Sequence, residues 1–580
     1  MKNSPPPDQA PANPLDQAVH AQLARLTQGL SPASIFSAYM DWLAHLSISP
    51  GKQHELLHKV ARKSMQLGLQ GLKGATVHAK PFIEPLPQDR RFAAPGWQQW
   101  PFNMIYQSFL LQQQWWHNAT TGVNGVTDHH EQLATFGARQ LLDMLSPSNF
   151  FLTNPEVLLE TVKSGGANLL QGAQNQWHDA LRQASGQPLP GTENFIPGKG
   201  VALTPGKVVF RNHLIELIQY SPQTGTVWAE PVLIVPSWIM KYYILDLSPH
   251  NSFVRYLVEK GHTVFIVSWK NPDASDRDLG MDDYLKSGVM AALDAVTAIV
   301  PERRVQALGY CLGGTLLAMA AAAMAGLGDE RLNTLTLLAS ELDFTEPGEL
   351  GLFIDESQLE FLDDMMAEKG YLDGKQMAGA FALLNSRDLV WSRMEHAYLM
   401  GRHQPVGDLA AWNADATRMP YRQHSEYLHQ LYLKNDLAEG RYRVEDRPIA
   451  LTDIRVPVFS LGTQRDTVSP WHSVYKINLL TDAQVTFCLS SGGHNVGIVN
   501  PPGPGVPRSY QLATHGADER YIDPDTWASA TPAHEGSWWP ALDHWLQQHA
   551  SGRVAPPAMG AAAHGHPVLE DAPGRYVLIP

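Results

Sequence analysis

At 580 residues the chain is too long for one ordinary domain, and 44% hydrophobic against 17% charged residues describe a folded protein with ample core. A formal net charge of −14 with no basic run excludes nucleic acid as an expected partner. Two cysteines, Cys311 and Cys488, are too few for a disulfide framework and fit a reducing cytoplasm.

In chain order, residues 1–14 (MKNSPPPDQAPANP) are proline-rich and polar and are expected to be disordered. They lack the basic and apolar regions of a signal peptide. No later stretch is apolar enough for long enough to cross a bilayer, so a soluble chain without a transmembrane segment is expected. From Leu15 to Leu72 the apolar spacing is helical: Leu23, Leu26 and Leu30 share one face, as do Tyr39, Leu43 and Leu46. The aromatic stretch Trp97–Thr121 predicts one long helix with Pro101 in its first turn. More helix is predicted over Leu133–Met144 and near Val157–Val162. An all-helical N-terminal domain therefore covers 15–200. Within it, His129-His130-Glu131 invites a metal reading. Consecutive residues do not converge on one helix face, so a packing or solvated role is read instead, with no metal site.

Strand patterns begin at Lys207 and alternate with helices: Val208–Phe210, Leu214–Tyr220, Pro231–Val235, a helix near Ser252–Lys260, then Thr263–Ser268. A helix near Met281–Val300 follows, then the apolar run Val305–Leu308, a helix to about Ala325, and the strand Leu335–Ala339. This alternation predicts a mostly parallel sheet wrapped by helices. It stops over 345–450, a helical stretch rich in Met and aromatic residues such as Phe353, Met365, Trp391 and Tyr398. Strands resume at Val456–Leu461 and Gln484–Leu489, so the stretch reads as a cap inserted into a catalytic domain spanning 201–580. Gly536–His549 is the last predicted helix, and Ser551–His566 reads as a loose Ala/Gly/Pro tail.

The chemistry centres on Gly309-Tyr310-Cys311-Leu312-Gly313-Gly314, between the strand Val305–Leu308 and its helix. Strand, Gly-x-nucleophile-x-Gly, helix is the nucleophile elbow of the α/β-hydrolase fold, with Cys in the place of Ser. The glycines are needed because a Cβ beside the strained turn would strike neighbouring backbone. The helix N-terminus aimed at the sulfur favours a thiolate. A thiol nucleophile needs a base and an orienting carboxylate, expected after later strands in the order nucleophile, acid, His. Asp466 follows VPVFSLGTQR and His494 follows VTFCLSSGG, which predicts the triad Cys311, Asp466 and His494. The oxyanion hole should use the backbone N–H of Leu312 with a second from the loop after Val235, at Trp238 or Ile239. Cys488, inside a strand, reads as core.

Several long segments in one order resemble the polyhydroxyalkanoate synthases of the single-subunit type, including poly(3-hydroxybutyrate) synthases. They are GYCLGG (309–314), VPSWIMKYYILDLSP (235–249), GHTVFIVSWKNPD (261–273), WNADATRMP (412–420) and SGGHNVGIVNPPG (491–503). The helical segments WPFNMIYQSFLLQQQWW (100–116) and TNPEVLLET (153–161) resemble the same family. There are three departures: Thr467 where many members carry His, Ser237 where proline is frequent, and His494-Asn495-Val496 in place of His-Ile-Ala.

The resemblance implies polymerisation of (R)-3-hydroxyacyl-CoA into polyester with release of CoA, through an acyl group held on Cys311. CoA thioester would be the substrate and no separate cofactor would be needed. It further implies a homodimer, located in the cytoplasm and bound to polyester granules and their coat proteins. The chemistry agrees: exchange of one thioester for another keeps the acyl group activated, and its transfer to a hydroxyl is downhill. His494 would deprotonate Cys311 and later the attacking hydroxyl, with Asp466 holding the imidazole tautomer. Shielding a thioester from water suits an apolar cap. The rival readings are a Cys-dependent α/β-hydrolase (thioesterase, lactone hydrolase or polyester-cleaving enzyme) and a granule-coating protein with a vestigial site.

Overall fold

A computed structural model describes residues 13–27, 29–73, 81–86, 89–188, 190–374, 376–377, 379, 383, 386–403, 405–504 and 507–580. Of the stretch 1–14 expected to be disordered, 1–12 lies outside the described residues, and Pro14 opens a helix, Pro14–Thr27. The chain divides into two compact units. One comprises Pro190–Ala378, Val406–Pro580 and the described part of Met1–Gly29; the other comprises Leu30–Leu189 and Gly379–Pro405. The helix Pro14–Thr27 thus belongs with the sheet, where Arg25 Nη2 donates to Glu368 Oε1 at 2.8 Å. The segment 379–405, read from sequence as cap, belongs with the helical unit. An amphipathic helix announces which face it buries, not what it buries it against.

The described residues of the first unit build an eleven-stranded sheet. Its strands are β1 (Gly206–Arg211), β2 (Ile215–Tyr220), β3 (Val232–Val235), β4 (Val264–Trp269), β5 (Val305–Tyr310) and β6 (Leu332–Leu338). They continue with β7 (Val458–Thr463), β8 (Val485–Ser490), β9 (Ser509–His515), β10 (Ala533–Glu535) and β11 (Glu570–Asp571). The order across the sheet is β10-β9-β8-β7-β6-β5-β3-β4-β2-β1-β11. The centre, β4 through β3, β5, β6 and β7 to β8, is paired in parallel, and the flanks are antiparallel. This is the mostly parallel, helix-wrapped sheet expected from the sequence. Strands covered on both faces read as continuous apolar runs, and every residue of β3, β5, β7 and β8 is buried. The helix Leu312–Gly326 is apolar all round because it too is buried nearly all round.

The C-terminal stretch departs from expectation. Residues 551–566 are not a loose tail: Arg553–Val554 pairs with Val227–Trp228, and the side chain of Gln219 bonds the Gly560 N–H at 2.7 Å and the Ala558 carbonyl at 3.0 Å. The chain then pairs with the sheet edge as β11, Lys207 facing Asp571. The ordering is made by backbone groups and by partners far off in sequence, which composition does not display. The strand β9 (SYQLATH), only half-buried along its length, was likewise absent from the sequence reading.

The helical unit is organised by the helices Phe102–Thr120 and Asp128–Met144. Phe92, Trp97, Tyr106, Phe109, Leu110 and Leu142 form its apolar centre. Arg91 joins it from the polar side, bonding Asp89 at 2.7 Å and Asp143 at 2.8 Å. The helix Pro155–Ser164 starts at Asn154, whose side chain accepts the Glu156 and Val157 amides and donates to Glu395 Oε1 at 2.7 Å. His130 Nδ1 bonds Asp41 Oδ2 at 2.7 Å and Glu131 takes the Gly122 amide at 2.7 Å, so both residues have local structural partners.

Candidate active site

β5 delivers the chain to Cys311, which adopts φ 53° and ψ −129° before the helix begins at Leu312. Only tight surroundings hold a side-chain-bearing residue in that conformation. The Cys311 N–H donates to the Leu338 carbonyl of β6 at 2.9 Å, and the Cys311 carbonyl accepts the Gly314 N–H at 2.9 Å. A Cβ on Gly309 would collide with the backbone of Gly314, and one on Gly313 with the carbonyls of Val235 and Pro236. The elbow glycines are therefore required by the backbones they touch, as the motif predicts. The Cys311 side chain is partly exposed and packs against the apolar cores on both faces of the sheet.

The base and the acid come from the ends of β8 and β7, two strands paired so that Thr463 faces Ser490. His494 Nδ1 and Asp466 Oδ2 are 2.8 Å apart. Asp466 is fixed in turn by Thr463 Oγ1 on Oδ2 at 3.0 Å, and by the Val468 and Ser469 amides on Oδ1 at 3.0 and 2.9 Å. Burial works to raise the Asp466 carboxyl, but the adjoining His494 and these bonds hold it below the ordinary carboxylate range. Burial works to lower His494, yet the charges of the nearby Asp466 and Cys311, with the bond to Asp466, push it well above the ordinary imidazole value. With Nδ1 on Asp466, Nε2 is the ring nitrogen left free of the carboxylate. Of the three residues picked from sequence, the structure joins Asp466 and His494 by a hydrogen bond and puts Cys311 at the elbow of the same sheet.

The loop after β3 lies against the elbow, since Val235 faces Gly309 and the Val235 and Pro236 carbonyls crowd Gly313. Of the two amides considered there, Ile239 donates to Ser237 Oγ at 3.2 Å and is used locally. Ser237 is one of the departures noted above, so that substitution has a visible structural consequence. Thr467, another departure, presents its carbonyl to the Glu349 N–H at 3.0 Å. Cys488 is fully buried in β8, where burial pushes its thiol pKa up; it belongs to the core.

Other residues around the site were not singled out from sequence. The Tyr310 ring stands 5.7 Å from that of His494, and its hydroxyl donates to Asn495 Oδ1 at 2.8 Å. Lys241 Nζ pairs with Asp415 Oδ1 at 2.8 Å, Tyr243 donates to Asp415 Oδ2 at 2.9 Å, and Trp412 Nε1 donates to the Lys241 carbonyl at 2.8 Å. Those bonds tie the segments 235–249 and 412–420 together, and their joint appearance among the quoted motifs was the available signal. Trp238, Tyr427, Tyr432 and Phe344 form a run of touching rings, with centroids 5.9, 5.2 and 4.7 Å apart in turn. Among the described residues no His, Cys, Asp and Glu cluster could hold a metal ion, and no helix is long and apolar enough to cross a membrane.

A nucleophile, a base and an orienting acid at three strand ends can carry out acyl transfer through a covalent intermediate. Comparison with known proteins narrows this. Residues 88–257 match the family model described as "Poly-beta-hydroxybutyrate polymerase (PhaC) N-terminus", and residues 10–52 match "Poly-beta-hydroxybutyrate polymerase N terminal". Residues 230–501 match the model for the alpha/beta hydrolase fold. The chain is 42% identical to the poly(3-hydroxyalkanoate) polymerase of Methylorubrum extorquens, over 88% of this chain and 83% of that one. It is 38% identical to the poly(3-hydroxyalkanoate) polymerase subunit PhaC of Rhizobium meliloti, over 85% of this chain and 80% of that protein. The corresponding subunit of Cupriavidus necator is 33% identical over 97% of this chain and 95% of its own length.

Proposed function

This chain belongs to the poly(3-hydroxyalkanoate) polymerase family, and from that premise we propose that it polymerises (R)-3-hydroxyacyl groups from coenzyme A thioesters into polyester. The observation that carries the mechanism is the 2.8 Å bond from His494 Nδ1 to Asp466 Oδ2, made at the ends of two strands of the same sheet whose β5 ends in the Cys311 elbow.

His494 takes the Cys311 proton, and the sulfur attacks the thioester carbonyl carbon. The carbon–sulfur bond to CoA breaks, and CoA leaves as a thiol with the proton returned by His494. The hydroxyl of a second hydroxyacyl group then attacks the acyl-Cys311 carbonyl while His494 accepts its proton. An oxygen ester forms and Cys311 leaves with that proton restored. Asp466 stabilises the imidazolium and holds its orientation. The amides of Leu312 and Trp238 are the proposed donors to the carbonyl oxygen as charge develops on it. No further cofactor enters, because the thioester brings its acyl group already activated. The ring series from Trp238 to Phe344 supports an apolar, water-poor acyl site.

The reading extends to a homodimer acting at the surface of polyester granules in the cytoplasm. Exposed apolar side chains on the helical unit, such as Phe36, Leu57, Met65 and Trp177, suit a surface that meets an apolar polymer. The test is to incubate the purified protein with (R)-3-hydroxybutyryl-CoA and follow thiol release and polymer mass together. Thiol and polymer in step support the proposal. Free hydroxy acid with CoA and no polymer would identify a hydrolase, and polymer formed equally well by Cys311→Ala would identify a coat protein.

A further inference from the structure

Glu341 has no task in the reaction just described. It lies three residues beyond Leu338, the end of β6, whose carbonyl takes the Cys311 N–H at 2.9 Å. Ala339 turns the chain there with φ 48°, Ser340 fills the space a Cβ on Gly314 would need, and Thr315 Oγ1 donates to the Glu341 carbonyl at 2.7 Å. These contacts pin Ser340 and Glu341 to the first turn of the elbow helix, beside the nucleophile.

The Glu341 side chain is 3% exposed, and its Oε1 has no hydrogen-bond partner. Other buried carboxylates in this unit are bonded: Asp246 takes the Ser252 and Thr204 hydroxyls, and Asp466 takes the bonds already described. An unbonded buried oxygen is a cost in stability, and a leucine of similar reach would avoid it. Burial first, then the nearness of Asp466 and Cys311, raises the carboxyl well above its ordinary range. The same neighbourhood includes Tyr427 and Tyr432, which lie within electrostatic reach of both Glu341 and Cys311. Their rings meet edge to face, 5.2 Å between centroids. The two tyrosines belong to the run of touching rings from Trp238 to Phe344.

An acyl group on Cys311 carries its 3-hydroxyl only two carbons past the carbonyl. That hydroxyl must find its partner among the groups packed around the sulfur. We propose that Glu341 is a specificity-determining residue whose unbonded carboxyl oxygen accepts the hydrogen bond of the substrate's 3-hydroxyl, so that hydroxyacyl chains are preferred to plain acyl chains of equal length. The inference rests on the polymerase reading above. It explains why a buried oxygen stands without a partner in the free protein: the partner arrives with the substrate.

The experiment compares single-turnover thiol release from 3-hydroxybutyryl-CoA and from butyryl-CoA by the full-length protein and by Glu341→Gln, Glu341→Leu and Glu341→Met. The Gln variant, which keeps an acceptor oxygen, retains the preference for the hydroxylated thioester. The Leu and Met variants lose about three- to tenfold of it, the worth of one neutral hydrogen bond. Their rate on butyryl-CoA is kept, and their melting temperatures match or exceed that of the parent. An unchanged ratio in the two apolar variants overturns the proposal, as does failure of both to fold, which would make the carboxyl a structural group. A parent protein that releases no thiol from either compound defeats the polymerase reading itself, a result distinguishable from the other two.

Discussion

Tyr310, the residue before the nucleophile, lays its ring 5.7 Å from the His494 imidazole at an interplanar angle of 33°. Its hydroxyl reaches past the base to Asn495 Oδ1 at 2.8 Å. The strand that delivers the nucleophile therefore also supports the wall against which the base stands. Tyr310→Phe keeps the ring and removes the bond. It should lower kcat about three- to tenfold with KM nearly unchanged and lower stability by about 1 kcal/mol. Steady-state kinetics and a denaturation curve read the two effects separately.

Removing the sulfur removes the covalent intermediate. Cys311→Ala should show no burst of thiol and no acyl-enzyme by mass spectrometry. Asp466→Asn preserves the shape but reverses the favoured tautomer of His494, and should cost about 10⁴-fold in kcat, the size of that substitution's effect in a serine triad. If Asp466→Asn stayed within about tenfold of the parent, the 2.8 Å contact would not be used in the reaction.

The same pair predicts a pH window for stability. Asp466 is held below its unfolded value near 3.8, so its contribution is complete above that pH and is lost as pH falls through the lower folded value. His494 is held above its unfolded value near 6.5, so its contribution is complete below that pH and is lost as pH rises through the raised folded value. The stability difference between parent and Asp466→Asn, measured by urea unfolding, should be largest between about pH 4 and 6.5 and shrink on either side. A difference that grows steadily toward alkaline pH would contradict the assignment.

Gly313→Ala places a methyl group against the Val235 and Pro236 carbonyls, both backbone and neither free to swing away. The expected loss is about 3 kcal/mol or more, the upper range for overpacking. Activity should fall as well, because the strain falls between Leu312 and the loop carrying Trp238. Gly328→Ala lies at a helix end with open space around it, and the strain of its φ of 71° alone should make the smaller change. Thermal melts of the two variants give the comparison.

What the sequence could show, it showed through short-range requirements. The elbow needs glycine on both sides of a nucleophile within five residues, between an apolar strand and an apolar helix, and all of that is contiguous at 309–313. The acid and the base follow strands of their own, so Asp466 and His494 were found by position after Leu461 and Leu489. The central strands were legible because burial on both faces leaves an unbroken apolar run. Family membership was legible through long segments such as 235–249 and 491–503.

Glu341 shows where that reading stopped. Glu341 went unread in LASELDF because charged side chains are seldom buried without a partner, and nothing local says that this one is. The stretch 551–566 stopped it in another way, because the tail's order comes from backbone groups bonded to Gln219 and to Val227–Trp228. By itself the sequence determined which residues could be nucleophile, base and acid, in what order, and on what kind of strand. Only the tertiary structure decided that the acid and the base meet, that 379–405 joins the helical unit, and that one oxygen of the buried Glu341 carboxyl is left unbonded. The physical reason is that propensity and periodicity act within a turn or a strand, whereas contact between residues hundreds of positions apart is settled by packing the whole chain at once.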